Sequence, residues 1–129
     1  MIEYKSKSDK RLIVECIVNE KPANFLIDTG ASLALIDKGA KKKYNLNVGK
    51  KYPGTIMGAG GELDNVRYCN TLIELGDKVM GQFLITDISN IIDSIERETG
   101  VEVIGIIGLP QMKMVGIQID VNDGLIMVE

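Results

Sequence analysis

The feature that most constrains the fold of this chain is a succession of short apolar runs separated by turn residues. Residues 11–18 and 24–27 are joined by a polar turn containing Pro22, which is typical of a β-hairpin. Further paired runs are predicted at 52–57 with 62–68, at 70–75 with 79–85, and at 116–120 with 125–128. The sequence therefore predicts a mostly β protein, and its 129 residues suit a single domain, 1–129, with one core.

Two or three short helices are expected between these strands. Asp37 is suited to cap a short helix over 37–44, which has lysines near its C-terminal end. A clearer helix is predicted over 89–98, with Ser89 as its N-cap and Gly100 just beyond its end. The chain is thus predicted to be mostly β with two or three short helices.

The complete absence of histidine from the sequence constrains the chemistry. It excludes Ser-His and Cys-His nucleophilic catalysis and every His-ligated zinc site. The sequence also has no phosphate-binding Gly-x-x-x-x-Gly-Lys-Ser/Thr loop. The 18 Asp and Glu residues remain as candidates for acid–base chemistry, and we expect no cofactor and no metal.

Charge and composition limit the partners and the location that we expect. A net charge of −3 and a pI near 5.0 favour neither a nucleic-acid nor a membrane partner. No run approaches the roughly 18 apolar residues of a membrane span, and the N-terminus lacks a signal-peptide core. We expect a cytoplasmic protein unless a leader or a larger protein has been trimmed. Cys16 and Cys69 lie in strand-like runs and are predicted to be reduced core thiols.

Residues 25–32, Phe-Leu-Ile-Asp-Thr-Gly-Ala-Ser, carry the strongest chemical signal. An Asp-Thr-Gly tripeptide also occurs at strand ends where Asp simply bonds its own backbone in a turn. Here an unbroken apolar run precedes Asp28, small residues follow, and a second apolar strand at 33–36 comes next. This context favours a catalytic loop over a plain turn.

Three segments together resemble the retropepsin-like aspartic proteases. Residues 25–32 resemble the active-site strand and loop of that family, and residues 57–61, Met-Gly-Ala-Gly-Gly, resemble its glycine-rich flap tip. Residues 106–108, Ile-Ile-Gly, resemble the element that packs beside the catalytic loop. The segments occur in family order, and the resemblance covers about residues 11 to 128. It implies a closed β-barrel-like acid protease (retropepsin) fold.

The resemblance also implies roles for particular residues. Asp28, Thr29 and Gly30 would form the catalytic loop, with Thr29 bonding across a dimer axis and Gly30 allowing close approach of the backbone. Glycines at the flap tip would let the hairpin fold over a substrate. The residues implied to bind substrate are Ala31, Ser32, Gly58, Ala59, Gly60, Gly61, Ile107 and Gly108.

Peptide hydrolysis without a metal or a covalent intermediate needs one group to deprotonate water and another to protonate the carbonyl oxygen. Two carboxylates that share one proton do both, because like charges so close together cannot both be ionised. The sequence has one Asp-Thr-Gly, so the second carboxylate must come from a second chain. We therefore expect a C2 homodimeric aspartic endopeptidase that acts on peptide or protein substrates.

Two features depart from common patterns of the family. Ala31 replaces the Ser or Thr that follows Asp-Thr-Gly in many cellular members, so a hydroxyl donor to the ionised carboxylate is lost. We expect a mildly acidic pH optimum as a result. The insertion over 89–101 resembles cellular and bacterial members more than viral ones, and would cover the end of the cleft or alter the dimer. About one helical turn is expected at 110–114.

Two alternatives remain open from the sequence. The first is a non-catalytic module that binds peptides on the same fold, because fold does not guarantee activity. The second is an unrelated small β-barrel in which Asp28 caps a turn. The substrate sequence is not encoded in any recognisable pattern.

Overall fold

A computed structural model describes residues 1–58 and 61–129. Ala59 and Gly60, which are expected at the flap tip, lie outside the described residues. The strands are β1 (Ile2–Lys5), β2 (Ile13–Val18), β3 (Lys21–Ile27), β4 (Ala34–Asp37), β5 (Val48–Lys51), β6 (Ile56–Gly58), β7 (Gly61–Leu63), β8 (Arg67–Cys69), β9 (Ile73–Leu75), β10 (Lys78–Met80), β11 (Phe83–Thr86), β12 (Gly105–Ile107), β13 (Ile117–Asp120) and β14 (Leu125–Val128).

Three short helices accompany the strands: α1 (Lys41–Tyr44), which follows a 3-10 turn at Lys38–Ala40, α2 (Ser89–Thr99) and α3 (Leu109–Val115). The prediction of a mostly β chain with two or three short helices is confirmed. Among the described residues, no helix has the length and apolar character that crossing a membrane requires.

Most strands belong to one curled sheet with the order β10-β9-β2-β3-β12-β4-β11-β8-β5. At its centre β12 pairs in parallel with β3 and antiparallel with β4. A smaller sheet has the order β1-β14-β13, and β6 pairs with β7 in a separate hairpin. The strand that precedes Asp28 is therefore central in the larger sheet and supported on both edges.

The central strands bury side chains on both faces. Phe25 and Ile27 of β3 lie in the larger core, where the Phe25 ring meets the Phe83 ring edge-on at 5.7 Å between centroids. Leu26, between them, faces the opposite side of the sheet and packs in a second apolar cluster. Burial on both faces explains why residues 25–27 are an unbroken apolar run rather than an alternating one.

The predicted hairpins are correct only in part. The β6–β7 hairpin matches the inner part of the 52–68 prediction, but β8 leaves it and pairs with β5 and β11. In the 70–85 prediction, β9 pairs with β10, whereas β11 pairs in parallel with β4. Gln82 has a positive φ of 63°, and the chain changes direction there, which separates β11 from β10.

Strand β1 is not predicted by the sequence. Its four residues alternate poorly, and only Tyr4 is partly buried. The strand forms because it pairs with β14 from Ile2↔Val128 to Lys5↔Leu125. A partner far along the chain, rather than local pattern, decides this element.

The helix ends correct two expectations. Ser89 is the first residue of α2 and not its N-cap, which is Ile88. Asp87 precedes it and accepts hydrogen bonds from the Ser89 hydroxyl (2.7 Å) and backbone N–H (3.0 Å), and these bonds lower the pKa of Asp87. Gly100 ends α2 at a φ of 75°, as predicted. Helix α3 spans seven residues instead of one turn at 110–114, because it begins at Leu109 and continues to Val115.

Cys16 and Cys69 are free thiols in the interior, as predicted. Burial, assisted by the charge of Glu15, raises the pKa of the Cys16 thiol to about 12. Burial also raises the pKa of Cys69, although hydrogen bonds from Thr71 oppose the shift. Both thiols are therefore protonated packing groups at neutral pH.

Candidate active site

Asp28 follows the last residue of β3 and continues its ladder. Its backbone N–H donates to the Ile107 carbonyl oxygen at 3.1 Å, and the preceding Ile27 N–H donates to Leu12 O at 2.9 Å. Side chains alternate along a strand, so Asp28 projects from the same face as Leu26. Asp28 as a whole residue is half-buried. The Asp28 side chain therefore lies at the C-terminal end of a central strand, in an orientation set by that strand.

A tight turn holds the Asp28 side chain. Its Oδ1 accepts a hydrogen bond from the Gly30 N–H at 3.0 Å, and the Ala31 N–H donates to the Asp28 carbonyl at 3.1 Å. Thr29, Gly30 and Ser32 are exposed on the open side of this turn. A Cβ on Gly30 would lie 3.4 Å from Asp28 Oδ1, an ordinary contact, so one protomer alone does not require glycine there.

Gly108 packs closely behind the turn that follows Asp28. A Cβ at this position would lie 2.8 Å from Leu33 O and 3.0 Å from Ala31 O, both backbone atoms. The adjacent Leu109 N–H donates to Ala31 O at 2.8 Å, which joins the start of α3 to the loop. Gly108 therefore allows a close approach between β12 and the loop that a larger residue would prevent.

The two isoleucines before Gly108 have different surroundings. Ile107, implied to bind substrate, is fully buried in the larger core on the face opposite Asp28. It contacts the loop through its backbone carbonyl, which accepts the Asp28 N–H. Ile106 instead faces the Asp28 side and pairs with Leu26 and Leu35. The sequence analysis gave Ile106 no role, because only the strand register with Leu26 and Leu35 shows that Ile106 lies on the Asp28 side of the sheet.

The expected flap is a β-hairpin of β6 and β7, described up to Gly58 on one side of the tip and from Gly61 on the other. Ile56 pairs with Leu63 and Gly58 with Gly61, while Met57 is 71% exposed. Ile56 is buried in an apolar cluster that also contacts Leu63, so the base of the hairpin is anchored to the sheet. Gly61 has a φ of 117° with open space around it, a conformation that favours glycine.

A pocket of about 530 Å³ opens beside the turn that carries Asp28. Asp28 and Thr29 line one side, the 5–12 segment lines another, and the turn at 121–124 closes it, with Val121 77% exposed. Two other acids, Asp9 and Asp123, lie on its rim. Among residues 1–58 and 61–129, no three His, Cys, Asp or Glu side chains are grouped to hold a metal ion.

Solved structures share this fold. A retropepsin-like aspartic protease from Rickettsia conorii aligns over 98% of this chain and 88% of its own, with a TM-score of 0.60 and 18% identity. The protease of equine infectious anemia virus, solved with the inhibitor HBY-793, aligns over 80% of this chain and 86% of its own, with a TM-score of 0.58 and 22% identity. The architecture is therefore that of the retropepsin-like proteases.

The sequence comparisons agree. Pol polyproteins of three strains or isolates of equine infectious anemia virus are 30% identical over 81 residues, which is 62% of this chain and 7% of each polyprotein. The chain thus spans a small fraction of the length of these relatives. The family model described as "Aspartyl protease" matches residues 14–110. The chain belongs to this aspartyl protease family.

Proposed function

We propose that this protein is an aspartic endopeptidase that works as a C2 homodimer. In this proposal the Asp28 carboxylates of two copies meet at the dimer axis and share one proton. The charged carboxylate deprotonates a water molecule, which attacks the scissile carbonyl carbon. The protonated carboxyl group donates its proton to the carbonyl oxygen. As the tetrahedral species collapses, the proton taken from the water passes to the nitrogen, the C–N bond breaks to release the amine, and the hydroxyl proton returns to the carboxylate pair.

The observation that carries this proposal is the supported position of Asp28 in a chain of the aspartyl protease family. The Asp28 N–H bonds the loop to β12 and the Leu109 N–H bonds α3 to the loop, while Asp28 itself remains half-exposed. A turn that only connects two strands would not need both β12 and α3 to hold it beside a partly exposed carboxylate. Positioning of this kind is what general acid–base catalysis requires.

The remaining residues have supporting roles in this proposal. Thr29, which is exposed in a single protomer, would bond across the axis to the partner copy. Residues 58–61 would close over the bound peptide and exclude water. Ala31 and Ser32 would contact an extended substrate beside Asp28, and Gly108 would hold the loop in place.

The test is cleavage of a mixed peptide library between pH 4 and 7, read by mass spectrometry. Asp28→Asn should abolish all cleavage while leaving the unfolding midpoint close to that of the wild type. Asp123→Asn is the matched control, because it makes the same chemical change in the same pocket. Loss of cleavage in both variants, or in neither, would refute the assignment of Asp28.

Light scattering after size exclusion tests the dimer. A mass near twice 14.1 kDa is expected under the conditions that support cleavage. Cleavage by a strictly monomeric protein would overturn the paired mechanism. Peptides bound but left intact by the wild type would indicate the non-catalytic binding module instead.

A further inference from the structure

Positive charge is distributed unevenly along this chain. Residues 38–61 contain six Lys and no Asp or Glu, although the net charge of the whole chain is −3. The other residues have nine cationic side chains against 18 acidic ones. The segment 38–61 is therefore a basic region in an otherwise acidic protein.

The fold gathers part of this charge on one surface. Lys38 of the 3-10 turn and Lys41 of α1 line a pocket of about 470 Å³ together with Arg67 of β8. Lys51 of β5 pairs in register with Arg67. All four residues are exposed. These four residues, Lys38, Lys41, Lys51 and Arg67, are called the basic surface below.

Within residues 1–58 and 61–129, no cation of the basic surface belongs to an ion pair. Both ion pairs of this part of the chain join other residues: Lys7 with Glu15 and Arg11 with Glu98. Arg67 instead donates from Nε to the Gly49 carbonyl oxygen at 2.8 Å, which holds its side chain against β5. The positive charges of this surface are thus available to pair with carboxylates of another molecule.

The same pocket also has three carboxylates. Glu62 and Asp64 line it beside the flap hairpin, and Asp87 lines it just after β11. Hydrogen bonds from Ser89 lower the pKa of Asp87, and the nearby charge of Lys38 lowers it further. Both signs of charge are therefore present within one small space.

Mixed charge of this kind fits a polypeptide better than a nucleic acid. A nucleic acid carries a negative charge on every phosphate, so Glu62, Asp64 and Asp87 would repel its backbone. A polypeptide can place acidic side chains against the basic surface and a neutral or basic side chain against these carboxylates. The charges thus favour an acidic stretch of protein as the partner.

Protection of a strand edge does not account for the basic surface. Lys51 lies on β5, the last strand in the order of the larger sheet, and lysine on such an edge discourages pairing between copies. Lys38 and Lys41 lie outside the sheet, so this role does not explain them. Their position beside Arg67 requires another reason.

The pocket borders the flap hairpin. Leu63 of β7 lines the pocket, and Leu63 also packs with Ala31, three residues after Asp28, against one apolar cluster. Leu63 therefore lies between the pocket and the cluster beside the Asp28 turn. A polypeptide that extends from Asp28 past the flap hairpin reaches the basic surface.

We propose that the basic surface binds an acidic segment of the substrate protein, outside the residues that flank the scissile bond. The inference rests on the proposed peptidase function. Each exposed ion pair gives a preference of only about 1.5- to 5-fold, so the four cations select substrates by acting together. The protein should therefore favour substrates in which a run of Asp or Glu lies to one side of the cleaved stretch.

The test uses pairs of peptides that share one stretch cut in the library assay and carry a tail of either Glu or Gln. The tail is attached at the N-terminus in one pair and at the C-terminus in the other. The wild type should cleave one of the Glu peptides with a KM about fivefold lower than that of its Gln counterpart, at low ionic strength. The kcat should be unchanged, because the contact is the same before and during the reaction. The preference should disappear at about 1 M salt, where the Debye length is only about 3 Å.

Lys38→Gln combined with Lys41→Gln should lower this preference at least about twofold, because two of the four ion pairs are lost. Lys43→Gln combined with Lys78→Gln is the matched control, with the same change in net charge. Lys43 lines a separate pocket with Glu15 and Glu102, and Lys78 lies on β10 at the other end of the sheet order. The control should keep the preference, and so should Lys38→Arg combined with Lys41→Arg, which retains both charges.

Equal KM values for the Glu and Gln tails, or an equal loss of preference in the two Gln variants, would overturn the assignment. A single-stranded oligonucleotide of the same charge provides a further comparison. If it inhibits cleavage of the Glu peptide more strongly than a free Glu tail does, the surface belongs to a nucleic acid and the proposal fails.

Binding to Asp28→Asn separates this inference from the proposed function. Fluorescence anisotropy measures the affinity of the Glu and Gln peptides for that variant, with and without the Gln substitutions of Lys38 and Lys41. If the library yields no cut peptide, the most tightly bound one supplies the shared stretch. Absence of cleavage together with lysine-dependent preference for the Glu tail would refute the peptidase and retain the acidic-segment site. Cleavage without a tail preference has the reverse meaning, and the absence of both would overturn both proposals.

Discussion

Replacing Gly108 with alanine tests whether close packing behind the catalytic loop positions Asp28. The added Cβ would lie 2.8 Å from Leu33 O, whereas ordinary contacts of this kind begin at 3.4 Å, so the two backbones must separate by about 0.6 Å. Neither Leu33 O nor Ala31 O can rotate away, because both belong to the main chain. Since a misplacement of about 1 Å can cost roughly 100-fold in rate, kcat/KM should fall about tenfold.

The assay pairs peptide hydrolysis with urea unfolding. Overpacking should lower the free energy of unfolding by roughly 1–3 kcal/mol, which a typical domain survives at 25 °C. Gly81→Ala is the matched control, because its Cβ would meet only the flexible Leu72 side chain at 3.4 Å. Folded Gly108→Ala with wild-type kcat/KM, or an equal loss in both variants, would refute the argument.

Four further predictions concern the dimer, the pH optimum and the two thiols. Thr29→Val should weaken self-association about ten- to thirtyfold, because two symmetry-related hydrogen bonds of about 1 kcal/mol each are lost; sedimentation that shows an unchanged dimer constant would contradict this. Ala31→Ser should move the pH optimum down by about 0.5–1 unit, since a new donor of about 1 kcal/mol would favour the ionised carboxylate; an upward shift would refute it. Cys16 and Cys69 should resist a thiol reagent at pH 8 until the chain unfolds. Folding raises the pKa of Cys16 from 9.0 to about 12, so the thiol favours the folded state fully below about pH 9. Between pH 9 and 12 the free energy of unfolding should fall by about 1.4 kcal/mol per pH unit on account of this group. Cys16→Ala should make that fall less steep, and an unchanged slope would exclude Cys16 as its source.

Local pattern was sufficient for several elements. The apolar run before Asp28, the cap at Asp37 and the stop at Gly100 all appear in the structure, and Asp37 accepts the Gly39 N–H at 3.3 Å. Each depends on a few neighbouring residues whose conformational preferences act over one turn or one strand. The prediction of Ser89 as the N-cap of α2 was wrong, because the Ser89 hydroxyl and backbone N–H both donate to Asp87 two residues earlier.

The face of each isoleucine beside the loop depended on register. Ile106 and Ile107 are chemically identical, yet Ile106 lies on the Asp28 side and Ile107 in the opposite core. Side chains alternate with a period of two, so an error of one residue reverses every assignment along a strand. The register Ile107↔Ile27 joins residues eighty positions apart and is not written in either segment alone.

The sequence by itself determined that the chain is mostly β and that histidine takes no part in its chemistry, because these follow from local periodicity and composition. It also made Asp28 the candidate acid, because residues 25–32 resemble the active-site loop of a known family. Tertiary structure alone decided that β1 joins β14, that β11 leaves its hairpin for β4, and that α2 packs in one apolar cluster with Leu26 and Ile106. These arrangements arise from pairing and burial between distant segments. The stabilising free energy arises only when the two distant segments pair, so neither segment alone predicts the arrangement.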